Sequence, residues 1–238
     1  MKNLTLTFSD PAHNLACDEA ILRLCEEGAA DEILRIWEAQ TYFVVVGYSN
    51  RVETEVNVGV CEESGIPILR RFTGGGAVVQ GPGCLNYTVV LRKESAANLD
   101  VRESYERVLS VHQNVFQTST AAPVERQGIS DITVAGRKFS GNAQHRSTDC
   151  VLVHGSFLIS FDIALIEKLL RMPSRQPEYR QDRSHISFLT NFAISARLLR
   201  ESLIKAWGAE APFEGAAGAK IEQLVRDRYS RPEWNKKF

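Results

Sequence analysis

Arg70-Arg71-Phe72-Thr73-Gly74-Gly75-Gly76-Ala77-Val78-Val79-Gln80-Gly81-Pro82-Gly83 is the stretch on which the reading of this chain turns. Five glycines fall within ten residues, after the apolar run Ile66-Pro67-Ile68-Leu69 and two arginines. Glycine gives up more backbone entropy on folding than any other residue, so such a cluster implies positive φ or close approach of backbone to a ligand. Bare amides beside two guanidinium groups suit an anion. A plain hairpin needs one or two glycines, not three in succession beside Arg-Arg. The stretch is no Walker loop, because no Lys-Ser or Lys-Thr follows it. Nor is it a dinucleotide fingerprint: Gly81-Pro82-Gly83-Cys84-Leu85-Asn86 lacks the third glycine and opens a strand.

On either side, hydropathy and spacing predict helices over 14–27, 56–64, 101–117, 162–170, 195–207 and 219–229. Strands are expected over 32–37, 42–46, 66–71, 77–80, 85–91, 131–134, 137–144 and 150–160, with a hairpin turn at Ala135-Gly136. Residues 173–187 read as a polar, irregular loop and 230–238 as a loose tail. Strands grouped in runs between helices indicate an α+β fold with mixed or antiparallel sheets flanked by helices. Residues 1–229 are expected to form one catalytic domain, with no C-terminal accessory domain after it.

The composition limits the function. The chain has 238 residues, 44% of them hydrophobic, and a formal net charge of −1. It can bury one sizeable core, and no basic field points to nucleic acid. Its five scattered cysteines show no metal-binding or disulfide spacing, so free thiols in a cytoplasmic setting and no metal site are expected. No apolar run is long enough to span a membrane.

A second constellation is Asp131-Ile132-Thr133-Val134-Ala135-Gly136-Arg137-Lys138-Phe139-Ser140-Gly141-Asn142-Ala143. Strand alternation places Lys138, Ser140 and Asn142 on one face. A lysine among small polar groups can serve a phosphate or a developing oxyanion, although a solvated edge lysine is the commoner case. The strand Val151–Ile159 carries His154 at its middle.

These motifs, in this order, resemble the lipoate–protein ligase A family of the biotin/lipoate protein ligase superfamily. The likeness begins at Asn14-Leu15-Ala16-Cys17-Asp18-Glu19-Ala20 and runs through Val44-Val45-Val46-Gly47 with Asn50. It continues with Arg70-Arg71-x-Thr73-Gly74-Gly75-Gly76-Ala77-Val78 and Gly128-x-x-Asp131. Gly136-Arg137-Lys138-x-Ser140-Gly141-Asn142-Ala143 and His154-Gly155 complete it, before about Asn191. The resemblance implies that ATP, with Mg2+, activates lipoate or octanoate to an acyl-adenylate. The acyl group then passes to a lysine of a lipoyl domain, on an E2 subunit or a glycine cleavage H-like protein. It implies a catalytic role for Lys138. It places Arg70, Arg71, Thr73, Gly74, Gly75, Gly76 and His154 at the acyl substrate, with Val78 and Phe157 along an acyl tunnel. Ala77, Val78, Asp131, Ser140, Gly141 and Asn142 would lie at the nucleotide.

The chain departs from the family pattern at four points. Gln80 stands where histidine is common. His145 and Arg146 stand where many relatives have an arginine that closes over substrate. The missing C-terminal domain suggests a separate accessory subunit. Finally, octanoyltransferases of the same fold use a cysteine thioester without ATP, for which Cys150 or Cys84 would be the candidate. A non-catalytic acyl-binding relative is the remaining alternative, and the intact Arg71, Thr73-Gly-Gly-Gly and Lys138 set argues against it.

Overall fold

The computed structural model describes residues 1–93, 100–215 and 217–238. In chain order the elements are β1 (Lys2–Leu4), α1 (Pro11–Glu26), β2 (Ile33–Glu38), β3 (Phe43–Val46), α2 (Val52–Glu55), α3 (Val58–Glu63), β4 (Ile68–Arg70), β5 (Val78–Gln80) and β6 (Cys84–Arg92). Then come α4 (Val101–Gln117), β7 (Val124–Gln127), β8 (Asp131–Val134), β9 (Arg137–Arg146), β10 (Cys150–Leu158), α5 (Ile163–Leu169), a 3-10 turn (Glu178–Arg180), α6 (His185–Phe188), α7 (Ala196–Ala206), α8 (Gly218–Leu224) ending in a π turn, and α9 (Pro232–Asn235).

Seven strands form one sheet in the order β1-β2-β6-β10-β9-β8-β7, and three form a second in the order β4-β3-β5. The large sheet is antiparallel except for β1 beside β2. In the small sheet β3 runs parallel to β4 and antiparallel to β5. Strand alternation decides what each face meets. Ile33 and Trp37 of β2 join Phe43 and Val45 of β3 around α1. Leu34 and Ile36 turn to the other face, under α4 and α7, while Val44 and Val46 pack beneath α3 and α5. Helix α1 is therefore enclosed between the two sheets.

Local signals explain where the helices begin. Asp10 caps α1 through the Ala12 amide, with Pro11 at the first turn. Asp100 and Glu103 form a capping box on α4. The helix expected over 56–64 is present as α3, which starts at Val58 because the Asn57 amide donates to the Leu169 carbonyl; the short α2 ahead of it was not expected. The expected loose tail at 230–238 is corrected by α9. Asn235 is buried, Trp234 Nε1 donates to the Arg70 carbonyl, and the Phe238 carbonyl accepts from the Val52 amide. The loop over 173–187 contains the 3-10 turn and the start of α6. β1 and β7 are short edge strands that the hydropathy pattern did not disclose.

His112 of α4 is fully buried, edge-on to Tyr87 and Phe157, and its Nε2 accepts from Trp207 Nε1. Burial pushes its pKa from 6.5 down to about 3. The neutral ring is the native form, whereas the unfolded chain takes up a proton below pH 6.5. Stability from this residue is therefore complete above pH 6.5 and is lost as pH falls toward 3. Wild type should lose about 2 kcal/mol more than His112→Gln between pH 7 and 5. Urea melts at both pH values check this, and parallel losses in the two proteins would refute it.

Candidate active site

A cavity of about 420 Å3 opens between the large sheet, α1 and the glycine stretch. Its sheet wall is one cross-strand row. Trp37 pairs with Asn86, Asn86 with Ser156, Ser156 with Gly141, and Gly141 with Asp131, and all five line the cavity. Leu15, Val45 and Val78 supply apolar lining. The space is thus apolar at one end and polar where Asp131 and Lys138 stand.

The glycine loop folds onto the end of β3. The Tyr48 amide donates to the Thr73 carbonyl at 2.8 Å, and the Arg71 amide to the Val46 carbonyl at 3.0 Å. A Cβ on Gly47 would lie 1.9 Å from the Gly75 carbonyl oxygen, so this approach requires glycine. Gly75 itself has φ +90°. Arg71 holds the loop from within. Its Nε and Nη2 donate to the Gly74 carbonyl at 3.0 and 2.8 Å, and Nη2 also to the Gly76 carbonyl at 2.7 Å. Burial pushes the Arg71 pKa down to about 10, which still leaves it charged at neutral pH.

Arg70 is corrected. Its guanidinium is fully buried away from the cavity and donates to the carbonyls of Gly47, Tyr48, Asn50, Trp234 and Asn235. Adjacent residues leave a strand end in opposite directions, so Arg71 enters the site while Arg70 fastens the C-terminal segment.

Lys138 shares a face with Gly141 and Asp131, not with Ser140 and Asn142. A register shift between Ile132 and Thr133 pairs Ser140 with Ile132 but Lys138 with Thr133, leaving Phe139 as the extra residue. Phe139 is buried against Phe116 and Phe192. The bulge turns the lysine over, and its Nζ lies 2.8 Å from Asp131 Oδ1. A Cβ at Gly141 would come within 2.8 Å of the same Nζ, so Gly141 makes room for the lysine. Tyr179 donates its hydroxyl to Asp131 Oδ2 at 2.7 Å and brings the 173–180 segment over the cavity.

On the α1 side a buried chain links four residues. Arg35 Nη1 donates to Asp18 Oδ1 at 2.6 Å, His154 Nδ1 lies 3.1 Å from Asp18 Oδ2, and Thr73 Oγ1 lies 2.7 Å from His154 Nε2. Burial alone would raise the Asp18 pKa, but the Arg35 guanidinium and His154 hold it below the ordinary carboxylate range. An ionised Asp18 fixes the tautomer: Nδ1–H donates to it, and Nε2 accepts from Thr73.

Of the residues proposed from sequence, Arg71, Gly75, Gly76, Ala77, Val78, Asp131, Lys138, Gly141, Asn142 and His154 converge on this cavity. Thr73 and Ser140 are buried behind it, and Gly74 faces a neighbouring hollow with Phe72 and His145. Phe157 is not along the cavity; it stacks on Tyr87 in the core under α4. Arg146 donates to the Asp100 carbonyl and Ser104, so neither it nor His145 reaches the cavity lining. All five cysteines are free and buried, and none lines the cavity. Among the described residues no group of three His, Cys, Asp or Glu could hold a metal ion, and no helix is long and apolar enough to cross a membrane.

A family model described as the lipoyl protein ligase A/B catalytic domain matches residues 10–206. The chain belongs to this family. It is similar to the octanoyltransferase LipM of Brevibacillus brevis, at 28% identity over 94% of each chain. It is equally similar, at 28% identity over 93% of this chain and 90% of the other, to lipoate-protein ligase A subunit 1 of Thermoplasma acidophilum. A solved lipoate-protein ligase A bound with ATP superimposes with a TM-score of 0.80 at 25% identity, covering 99% and 98% of the two chains. The α+β architecture is that of the ligase catalytic domains, and the chain is an enzyme of the lipoate ligase and octanoyltransferase family. Asp18, Trp37, Asn86, Ser156 and Arg175 are cavity residues to which the sequence alone assigned no role. Two signals pointed to part of this set: the lone Arg35 within Ile33–Trp37, and Asn14 and Asp18 four residues apart on one side of α1.

Proposed function

We propose that this chain is a lipoate–protein ligase, activating lipoate or octanoate with ATP to an acyl-adenylate and passing the acyl group to a lysine of a lipoyl domain. The observation that carries this reading is a cavity holding Lys138, Arg71 and the glycine loop, with no thiol along its lining. A thioester route needs a cysteine whose thiolate can reach the substrate. Cys84 is fully buried, with its thiol pushed up to about 12 by burial, and Cys150 is buried and likewise raised.

In the first half-reaction a carboxylate oxygen of the acid attacks the α-phosphorus of ATP, and the bond to the bridging oxygen breaks as pyrophosphate leaves. In the second, the amine of the acceptor lysine attacks the acyl carbonyl, the acyl–oxygen bond breaks, and AMP departs. Charge develops on the carbonyl and phosphoryl oxygens, and Lys138 and the loop amides are the groups along the cavity that would stabilise it. The apolar end would bury the acyl chain at about 0.8 kcal/mol per CH2. Mg2+ would arrive as the counter-ion of the ATP phosphates, since no group of three His, Cys, Asp or Glu among the described residues could hold it.

The relatives support the choice of partners. The Thermoplasma ligase is described as bipartite, together with its E2 lipoyl domain, which supports lipoyl domains as acceptors here and a separate accessory subunit.

The second reading is an ATP-independent octanoyltransferase, favoured by the full-length similarity to LipM. One comparison separates the two. Incubation with ATP and lipoate, with and without the accessory subunit, should yield lipoyl-AMP, and Cys84→Ser and Cys150→Ser should keep transfer within about two-fold. Transfer from an octanoyl thioester without ATP, abolished in either serine variant, would establish the transferase instead.

A further inference from the structure

The charged side chains along the cavity have partners, with one exception among the described residues. Asp18 is bonded to Arg35 and His154, and Asp131 to Lys138 and Tyr179. Arg71 is committed to the carbonyls of its own loop. Arg175 lines the cavity from the opposite side, is exposed, and makes no ion pair, hydrogen bond or ring contact.

Its neighbours are not free in the same way. Ser174 donates to the buried carboxylate of Glu55, and Gln176 donates to Asp182. Pro173 and Pro177 restrict the backbone on both sides. The other arginines of the segment are engaged: Arg180 is buried over Phe188, and Arg183 donates to the carbonyls of Gly136, Tyr179 and Arg180. The segment is thus tethered at the residues flanking Arg175, and the guanidinium is presented at the cavity mouth without a counter-charge.

We propose that Arg175 binds the outer phosphates of a nucleoside triphosphate and stabilises pyrophosphate as it leaves. This rests on the ligase reading above. Lys138 and the glycine loop that Arg71 braces would meet the acyl carboxylate and α-phosphate. The two further phosphates carry charge of their own, and a planar guanidinium suits them bidentately. Arg175 acts only while those phosphates are present. It therefore contributes to acyl-adenylate formation and not to the following transfer to lysine.

The test uses the full chain, with ATP and AMP as probes in titration calorimetry and pre-formed lipoyl-AMP as donor in a transfer assay. Arg175→Gln should weaken ATP binding about ten-fold or more, leave AMP binding within two-fold, and leave transfer from lipoyl-AMP unchanged. Arg175→Lys should fall between. Unchanged ATP affinity in Arg175→Gln would overturn the proposal while leaving the ligase reading standing. Equal losses for ATP, AMP and transfer would also overturn it, by showing a structural role for the segment. Failure of the wild-type chain to bind ATP, both alone and with the accessory subunit, would remove the ligase reading and the proposal together.

Discussion

Lys138→Ala is expected to lower acyl transfer to a lipoyl domain by about 100- to 1000-fold, with little change in stability. The size follows from removing one preorganised donor aimed at developing negative charge. Stability should hold because Lys138 is one-quarter exposed at its side chain and its removal leaves Asp131 bonded to Tyr179. Gly141→Ala is the sharper companion. The added methyl would meet Nζ and Cε of Lys138 at 2.8 Å, the mobile end of a flexible chain. The lysine should swing away while the fold adapts, so activity should fall with the lysine still present. Turnover assays beside thermal melts check both variants. Near-normal turnover in Lys138→Ala removes the lysine from the mechanism, and near-normal turnover in Gly141→Ala shows that its position over Gly141 does not matter.

Arg35→Met is expected to cost about 3–5 kcal/mol of stability, the scale for breaking a buried ion pair from one side. Arg35 is fully buried and Asp18 nearly so. The guanidinium also donates to the Leu6 carbonyl, the Asn14 carbonyl and the Asn14 side chain, so its loss leaves several buried acceptors unmatched. The double variant Arg35→Met with Asp18→Asn should lose less than the sum of the two singles, because the second change removes the stranded charge. An exposed pair supplies the control: Arg197→Ala, which breaks the link to Glu201, should cost no more than about 0.5 kcal/mol. Urea midpoints measure all four. A loss below about 1 kcal/mol for Arg35→Met would show that water or a neighbour replaces the guanidinium.

Much of the site was legible because it is written locally. The glycine stretch, the Gly136–Asn142 hairpin strand and His154 each carry their own chemistry within a few residues. Elements with strong periodicity, such as α4 with its capping box, fall where hydropathy puts them. What escaped was set at a distance. Arg70 and Arg71 are indistinguishable as residue types; α9 claims the first and the loop carbonyls claim the second. Lys138 changes face because β9 carries one extra residue against β8, and no count along β9 alone reveals that. The tail at 230–238 looks polar and loose until Asn235 and Trp234 find Arg70.

The amino-acid sequence by itself determined the α+β class, the family and the groups that can handle an anion, because motif and periodicity are properties of neighbouring residues. Only the tertiary structure decided which cations remain available. Charge compensation depends on partners far along the chain. Asp18 finds Arg35 and His154, Asp131 finds Lys138 and Tyr179, and Arg175 finds none among the described residues.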